Sequence, residues 1–138
     1  MSIEKAIRYN QTKQFLKRVD DLKAKGEEFI QKIGTSLTQL YPGHFKQSKG
    51  TPTRLDLEFY GLPLFVRVEV EIEEDELGRV RTYLCDDSTP PRPKKLEFEY
   101  IFDDLGNVNR TMTIGEAAAA FGPDLIDHLR SKKIALLP

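Results

Sequence analysis

The chain has 138 residues, a formal net charge of −1, 31% charged and 39% hydrophobic residues, and one cysteine. That length suits a single domain able to bury roughly 68% of its unfolded surface without staples, and one cysteine excludes an intrachain disulfide framework and suits a reducing compartment. No apolar run approaches the roughly 18 residues of a membrane span and the first residues hold no apolar signal-peptide core, so the expectation is a cytoplasmic protein with no membrane partner.

Charge is unevenly spread. Residues 1–50 carry 10 Lys+Arg and 5 Asp+Glu, whereas residues 51–138 carry 11 and 17. Such a split either offers a basic surface to an acidic partner or lets the two halves complement each other.

Residues 3–41 read as helix. Phe15, Val19, Leu22, Gly26, Phe29, Ile33, Leu37 and Leu40 recur at intervals of three and four, with Leu16 and Ile30 widening the stripe into the broad face of a helix lying on a core. Pro42-Gly43 stops it. Lys23 and Lys25 before Gly26, and Glu27 and Glu28 after it, have the charge order of one helix ending and another starting. The expectation is a long helix bent or loosened near Gly26. A continuous helix of this length would span about 58 Å, against a radius of gyration of about 14 Å for a compact chain of this size. Residues 3–30 are therefore expected to overhang their own sheet and to pair with a second copy as a homodimer; a sharp turn at Gly26 would instead give a monomeric helical hairpin.

A polar loop is expected over residues 42–53. Residues 54–73 then specify a hairpin: Leu55, Leu57 and Phe59 alternate on one strand, and Leu64, Val66, Val68, Val70 and Ile72 on the next. Gly61-Leu62 between them fits a type II′ turn, which pairs Phe59 with Leu64, Leu57 with Val66, Leu55 with Val68, Asp56 with Arg67 and Arg54 with Glu69. A third strand runs from Arg79 to Asp86, with Cys85 pointing outward, near Arg67 if the second and third strands pair with a five-residue loop. A proline arm, Ser88 to Pro93, stays extended outside the ladder. A fourth strand runs from Lys95 to Phe102 and a fifth over Val108 to Met112. Asp75-Glu76-Leu77-Gly78-Arg79-Val80 and Asp103-Asp104-Leu105-Gly106-Asn107-Val108 repeat one turn pattern, with a left-handed glycine expected in each.

Thr113 and Glu116 have capping-box spacing. They start a helix through Phe121, which Gly122-Pro123 interrupts before a second short helix from Asp124 to Lys133. The fold class is α+β: a four- to five-stranded antiparallel meander with the long N-terminal helix and short C-terminal helices packed on one face. It forms one domain over 1–138, with the helical arm at 1–41, the loop at 42–53, the sheet at 54–112 and the C-terminal helices at 113–138.

The outward sheet face carries the densest polar pattern: Arg67, Glu69, Glu71, Glu73, Arg79, Arg81, Glu97 and Glu99. Carboxylates two apart on a strand share a face, as a cation site or an acid/base pair requires. The interposed arginines neutralise them, so a solvated charge ladder is the better account and no cofactor or metal is expected. Cys85 has no histidine at a recognisable spacing, His44 and His128 have no partner motif, and no phosphate-binding glycine loop is present. Pro90-Pro91-Arg92-Pro93 satisfies P-x-x-P but serves equally as a spacer.

Thr113-Ile114-Gly115-Glu116-Ala117-Ala118, then Gly122, Ile126 and Leu129, resembles the T-I-G-E-x-A…G opening of MerR-type helix-turn-helix domains over about 25 residues. The resemblance implies DNA binding, with Arg130, Lys132 and Lys133 as the phosphate-facing cations; a shorter turn, Pro123, Asp124 and Asp127 depart from the pattern. The leading functional expectation is a non-enzymatic protein-binding module, an inhibitor, immunity-type or adaptor protein, that uses the charged sheet face. DNA binding through 113–133 is one alternative. A small-molecule or hydrolase site between helix and sheet, with Tyr100 or Tyr41 as polar groups, is the other.

Overall fold

Two amphipathic patterns, period two along residues 54–72 and period three-to-four along residues 15–40, bury their apolar sides against each other. The computed structural model describes residues 2–48, 50–72, 76–85, 92–134 and 136. Glu73, Asp75, Asp86, Asp87 and residues 88–91 of the proline arm lie outside them. The order is α1 (Ile3–Leu40), β1 (Phe45–Ser48), β2 (Arg54–Phe59), β3 (Leu62–Glu71), β4 (Leu77–Cys85), β5 (Pro93–Phe102) and α2 (Ile114–Ser131). The strands make one antiparallel meander in sequence order. Leu22, Phe29, Ile33 and Leu37 of α1 and Ala117, Phe121, Leu125 and Leu129 of α2 join Leu57, Leu64, Val66, Val80 and Phe102 of the sheet in one core. Each fully buried large side chain contributes about 1.5–3 kcal/mol relative to exposure.

The hairpin forms with the expected faces and a different register. Leu57 pairs with Leu64, Leu55 with Val66, Asp56 with Phe65 and Arg54 with Arg67. The turn is Tyr60-Gly61, both at positive φ (49° and 80°), which is the type I′ geometry whose twist matches the strands. Tyr60 is held there by its Phe59 neighbour, edge-on at 4.8 Å, and by a 2.7 Å hydrogen bond between its hydroxyl and His44 Nδ1. A shift of two residues keeps every side chain on its side of the sheet, so the core is unaffected while the charged partners change.

The sheet's fifth strand is not the expected one. β1 lies within the stretch read as loop, where Phe45 stacks on Phe59 at 4.7 Å and Gln47 donates to the Gly34 carbonyl at 2.8 Å. Residues 108–112 form a tight turn with isolated bridges, Phe102 to Val108 and Val108 to Met112. Asn109 and Arg110 both have positive φ there.

Three glycines depart from expectation because of packing. At Gly26 α1 runs on without a break: an added Cβ would sit 2.6 Å from Val68 Cγ1, so the missing side chain is where helix and sheet touch. Gly78 lies inside β4 under the Phe102 ring, 2.1 Å from where a Cβ would be, and closes no left-handed turn. Gly122 faces the Tyr41 ring, which would lie 2.6 Å from an added Cβ, and α2 continues through it and through Pro123. Pro123 and Ala119, whose carbonyl loses its helical partner, are both exposed, so the break lies on the solvent side of the helix. Gly106, at φ 87°, does close its turn as expected. The Thr113–Glu116 capping box is present.

The core-covered part of α1 begins at Leu22, so the overhang is shorter than residues 3–30. Residues 3–21 extend about 28 Å from the root, where Arg18 pairs with Glu76 at 3.1 Å. Ile3, Ile7, Tyr9 and Leu16 are exposed on this arm, and Phe15 and Val19 are half-buried.

Candidate functional site

With both helices on one side, the other side of the sheet is built by the odd-numbered residues of β3, β4 and β5. In register, Glu69 stands opposite Arg79, Arg67 opposite Arg81, and Arg81 opposite Glu99. Strand twist and side-chain length let each guanidinium reach more than one carboxylate. Arg81 is the hub: its Nη1 donates to Glu69, its Nη2 to Glu71 at 3.0 Å and its Nε to Glu99 at 2.8 Å. Arg79 donates from Nη1 to Glu99 at 2.7 Å. Its buried Nε lies 2.9 Å from Glu71 Oε2, close enough for attraction but without hydrogen-bond alignment. Arg67 grips Glu69 with Nε and Nη2, at 3.1 and 2.6 Å. Three arginines therefore meet three glutamates with no net charge left over.

Two aromatic residues complete this face, and neither was expected as part of the site. Tyr83 donates its hydroxyl to Glu69 and accepts from Arg67 Nη2 at 3.2 Å. Phe65, only 4% exposed, stacks on Tyr83 at 4.8 Å with 14° between the rings. Arg54 caps Phe65 at 4.0 Å, and Arg67 lies over Tyr83 at 4.9 Å. Alternation alone places Phe65 and Tyr83 on the outward side, and that was the signal available in the sequence.

The electrostatics follow from these contacts. Burial works against the Glu69 carboxylate, but hydrogen bonds from Tyr83, Arg67 and Arg81 outweigh it and hold its pKa at about 2. Glu99 is lowered in the same way: burial opposes, and the Arg81 and Arg79 contacts prevail. Burial and the Glu69 hydrogen bond raise Tyr83. Glu69 is thus fixed as an anion at neutral pH and has no proton to give.

Glu97 does not join this network. A register irregularity between Arg81 and Tyr83 displaces it, and it pairs with Lys132 at the end of α2 at 3.0 Å. Cys85 stands opposite Pro93, while Arg67 stands opposite Arg81, so the expected Cys85–Arg67 proximity does not occur.

The segment resembling a helix-turn-helix is one helix, Ile114–Ser131, and its apolar side is buried in the core. Of the three cations proposed there, Arg130 is exposed, Lys132 is paired with Glu97, and Lys133 lies past the helix end at φ 52°. Tyr100 is 3% exposed; burial and its hydrogen bond to Asp124 raise its pKa. Tyr41 packs on Phe45 and Gly122. Neither tyrosine lines the open groove of about 820 Å³ between α1 and the β1–β2 side of the sheet, whose polar walls include Glu27, Gln31, Thr35, Thr38, Gln47 and Arg54. Among the described residues, no three of the His, Cys, Asp and Glu side chains are grouped to hold a metal ion, and no helix is long and apolar enough to cross a membrane.

Compared with protein-family models, curated proteins and solved structures, this chain matches none.

Proposed function

We propose that the chain is a non-enzymatic protein-binding module, an inhibitor, immunity-type or adaptor protein of the cytoplasm, whose partner meets the outer sheet face. One observation carries this reading: Arg67, Arg79 and Arg81 are locked onto Glu69, Glu71 and Glu99 beside the Phe65–Tyr83 stack. A side-chain surface already ordered in the free protein loses little entropy on docking, and arginine and tyrosine are the residue types that dominate interface energetics. The same pairing occupies the carboxylate oxygens that acid/base or cation chemistry would need. We further propose that the chain acts as a homodimer through the N-terminal arm of α1, where Ile3, Ile7 and Leu16 are exposed.

Affinity capture from the native host tests the reading of the sheet face, with Arg54→Glu and Arg67→Glu as the comparison baits. A protein retained by the wild-type chain and lost with both variants, while circular dichroism stays unchanged, is the expected result. Turnover of a substrate that disappears with Glu71→Gln would overturn it.

A further inference from the structure

The register across the outer sheet face sets like charges against each other. Arg54 stands opposite Arg67, and Arg67 opposite Arg81, so three arginines form one row across β2, β3 and β4. Like charges directly opposite on a ladder are destabilising, and the three are not spent alike. Arg81 gives its Nε and both Nη groups to Glu99, Glu69 and Glu71 and is the least exposed of the row. Arg54 and Arg67 are held along one edge only. Arg54 turns Nε and Nη2 to Asp56, both at 3.0 Å, and Arg67 turns Nε and Nη2 to Glu69. Among the described residues neither Nη1 has a partner. Both side chains stay close to half exposed, at 42% and 46%.

The rings beneath fix where those free edges stand. The Arg54 guanidinium lies over Phe65 and that of Arg67 over Tyr83, and the two rings stack on each other. The result is two forks on neighbouring strands, about 5 Å apart at the backbone. Asp56 and Glu69 aim the forks without saturating them, because a guanidinium has more donors than one carboxylate takes.

We infer that this pair of arginines anchors the proposed interface, and that the partner meets it with two neighbouring carboxylates from aspartate or glutamate side chains. This rests on the protein-binding reading of the sheet face and names the partner's chemistry. Arginine forks match carboxylates in a bidentate fashion. On a partner helix, acidic residues three or four apart carry their Cβ atoms about 5–6 Å apart, which matches the spacing of the forks. Two incoming carboxylates also offset the opposition between Arg54 and Arg67, a cost that the free sheet carries. Each arginine already has its own carboxylate, so selectivity lies in these contacts and not in long-range attraction.

The full-length chain is titrated with glutarate, a small dicarboxylate, with acetate and with uncharged glutaramide, while the arginine side-chain N–H resonances are followed by NMR. Glutarate is expected to shift Arg54 and Arg67 together and to bind at least about threefold more tightly than acetate. Glutaramide is expected to leave both unmoved. Arg54→Gln and Arg67→Gln are each expected to bring glutarate down to the level of acetate, with circular dichroism unchanged. In affinity capture the same two neutral variants are expected to lose the protein that the wild-type chain retains. Glutarate that binds no more tightly than acetate, or that shifts Arg79 and Arg81 as strongly, overturns the two-fork anchor. A protein lost with Arg54→Glu and Arg67→Glu but retained by both glutamine variants also overturns it, and leaves the sheet face standing as the interface. A protein retained by every variant overturns this inference together with the reading from which it starts.

Discussion

The two halves of α1 belong to one unbroken helix and are held by different forces. From Leu22 to Leu37 the helix lies on the sheet and contributes Leu22, Phe29, Ile33 and Leu37 to the core. From Ile3 to Asp21, among the described residues, it has the Arg18–Glu76 ion pair and the half-buried Phe15 and Val19 at its root, and beyond them contacts within the helix itself. An isolated helix of such length is marginal in water, although here the covered half supplies the costly nucleus. Burial fixes the first half; the second depends on propensity and on whatever packs against it.

The widest separation is expected from truncating the same kind of side chain in each half. Phe29→Ala removes a fully buried ring and is expected to cost about 3–5 kcal/mol. Leu16→Ala, 53% exposed on the arm, is expected to cost under about 0.5 kcal/mol in dilute solution. Urea unfolding measured at nanomolar and micromolar protein checks both. A large cost for Leu16→Ala at nanomolar concentration would mean that the arm is covered within one chain.

Substitution by alanine reverses sign between the halves. Gly26→Ala gains up to about 1 kcal/mol of helix propensity. It also drives a Cβ to within 2.6 Å of Val68, and overpacking of that kind costs about 1–3 kcal/mol; net destabilisation of about 1 kcal/mol is expected. Asn10→Ala, exposed on the arm, keeps only the propensity gain of about 0.5 kcal/mol. Thermal melts of the two variants side by side would show the opposite signs.

Changing pH acts on the sheet half. The folded-state pKa of Glu69 is depressed to about 2 from an ordinary 4.5, so its contribution is complete above about pH 4.5 and is lost as pH falls through 2. Tyr100 is shifted the other way. Burial and Asp124 raise it above the ordinary 10, so its contribution is complete below pH 10 and declines as pH rises beyond. Stability against denaturant is expected to fall on both sides of that plateau, with Glu69→Gln removing the acid limb's dependence on this group and Tyr100→Phe the alkaline one.

The smallest expected effect is Glu71→Gln. Its side chain is 40% exposed, and exposed pairs are worth about 1 kcal/mol or less. Equilibrium unfolding showing a loss of several kcal/mol would mean that the arginine–glutamate face holds the sheet together.

How much was legible follows from what each pattern depends on. Alternation at Leu55, Leu57, Phe59 and Leu64 through Val70 identified strands and faces, since period two leaves no other way to bury them together. Register was not legible to the same degree. Type I′ and type II′ turns differ by which two residues sit at the tip, and Tyr60 is an unusual choice for a left-handed position. β1 went unseen because a four-residue edge strand with one apolar side chain, Phe45, has no periodicity to detect. At the candidate site, Arg67, Glu69, Glu71, Arg79, Arg81 and Glu99 were legible as a shared face. Glu97 was misplaced with them because a register irregularity leaves no compositional trace.

By itself the sequence determined the class of fold: a long helix, alternating strands and a capped C-terminal helix, each signalled by local spacing of apolar residues and by caps. Only the tertiary structure decided what the glycines meant. Gly26, Gly78 and Gly122 read locally as breaks or turns, and in the folded chain each is a contact, with Val68, Phe102 and Tyr41 filling the space where a side chain would stand. A glycine's local preference is worth about 1 kcal/mol, whereas the burial of apolar surface that close approach permits is worth more. Packing therefore overrode the local signal at all three.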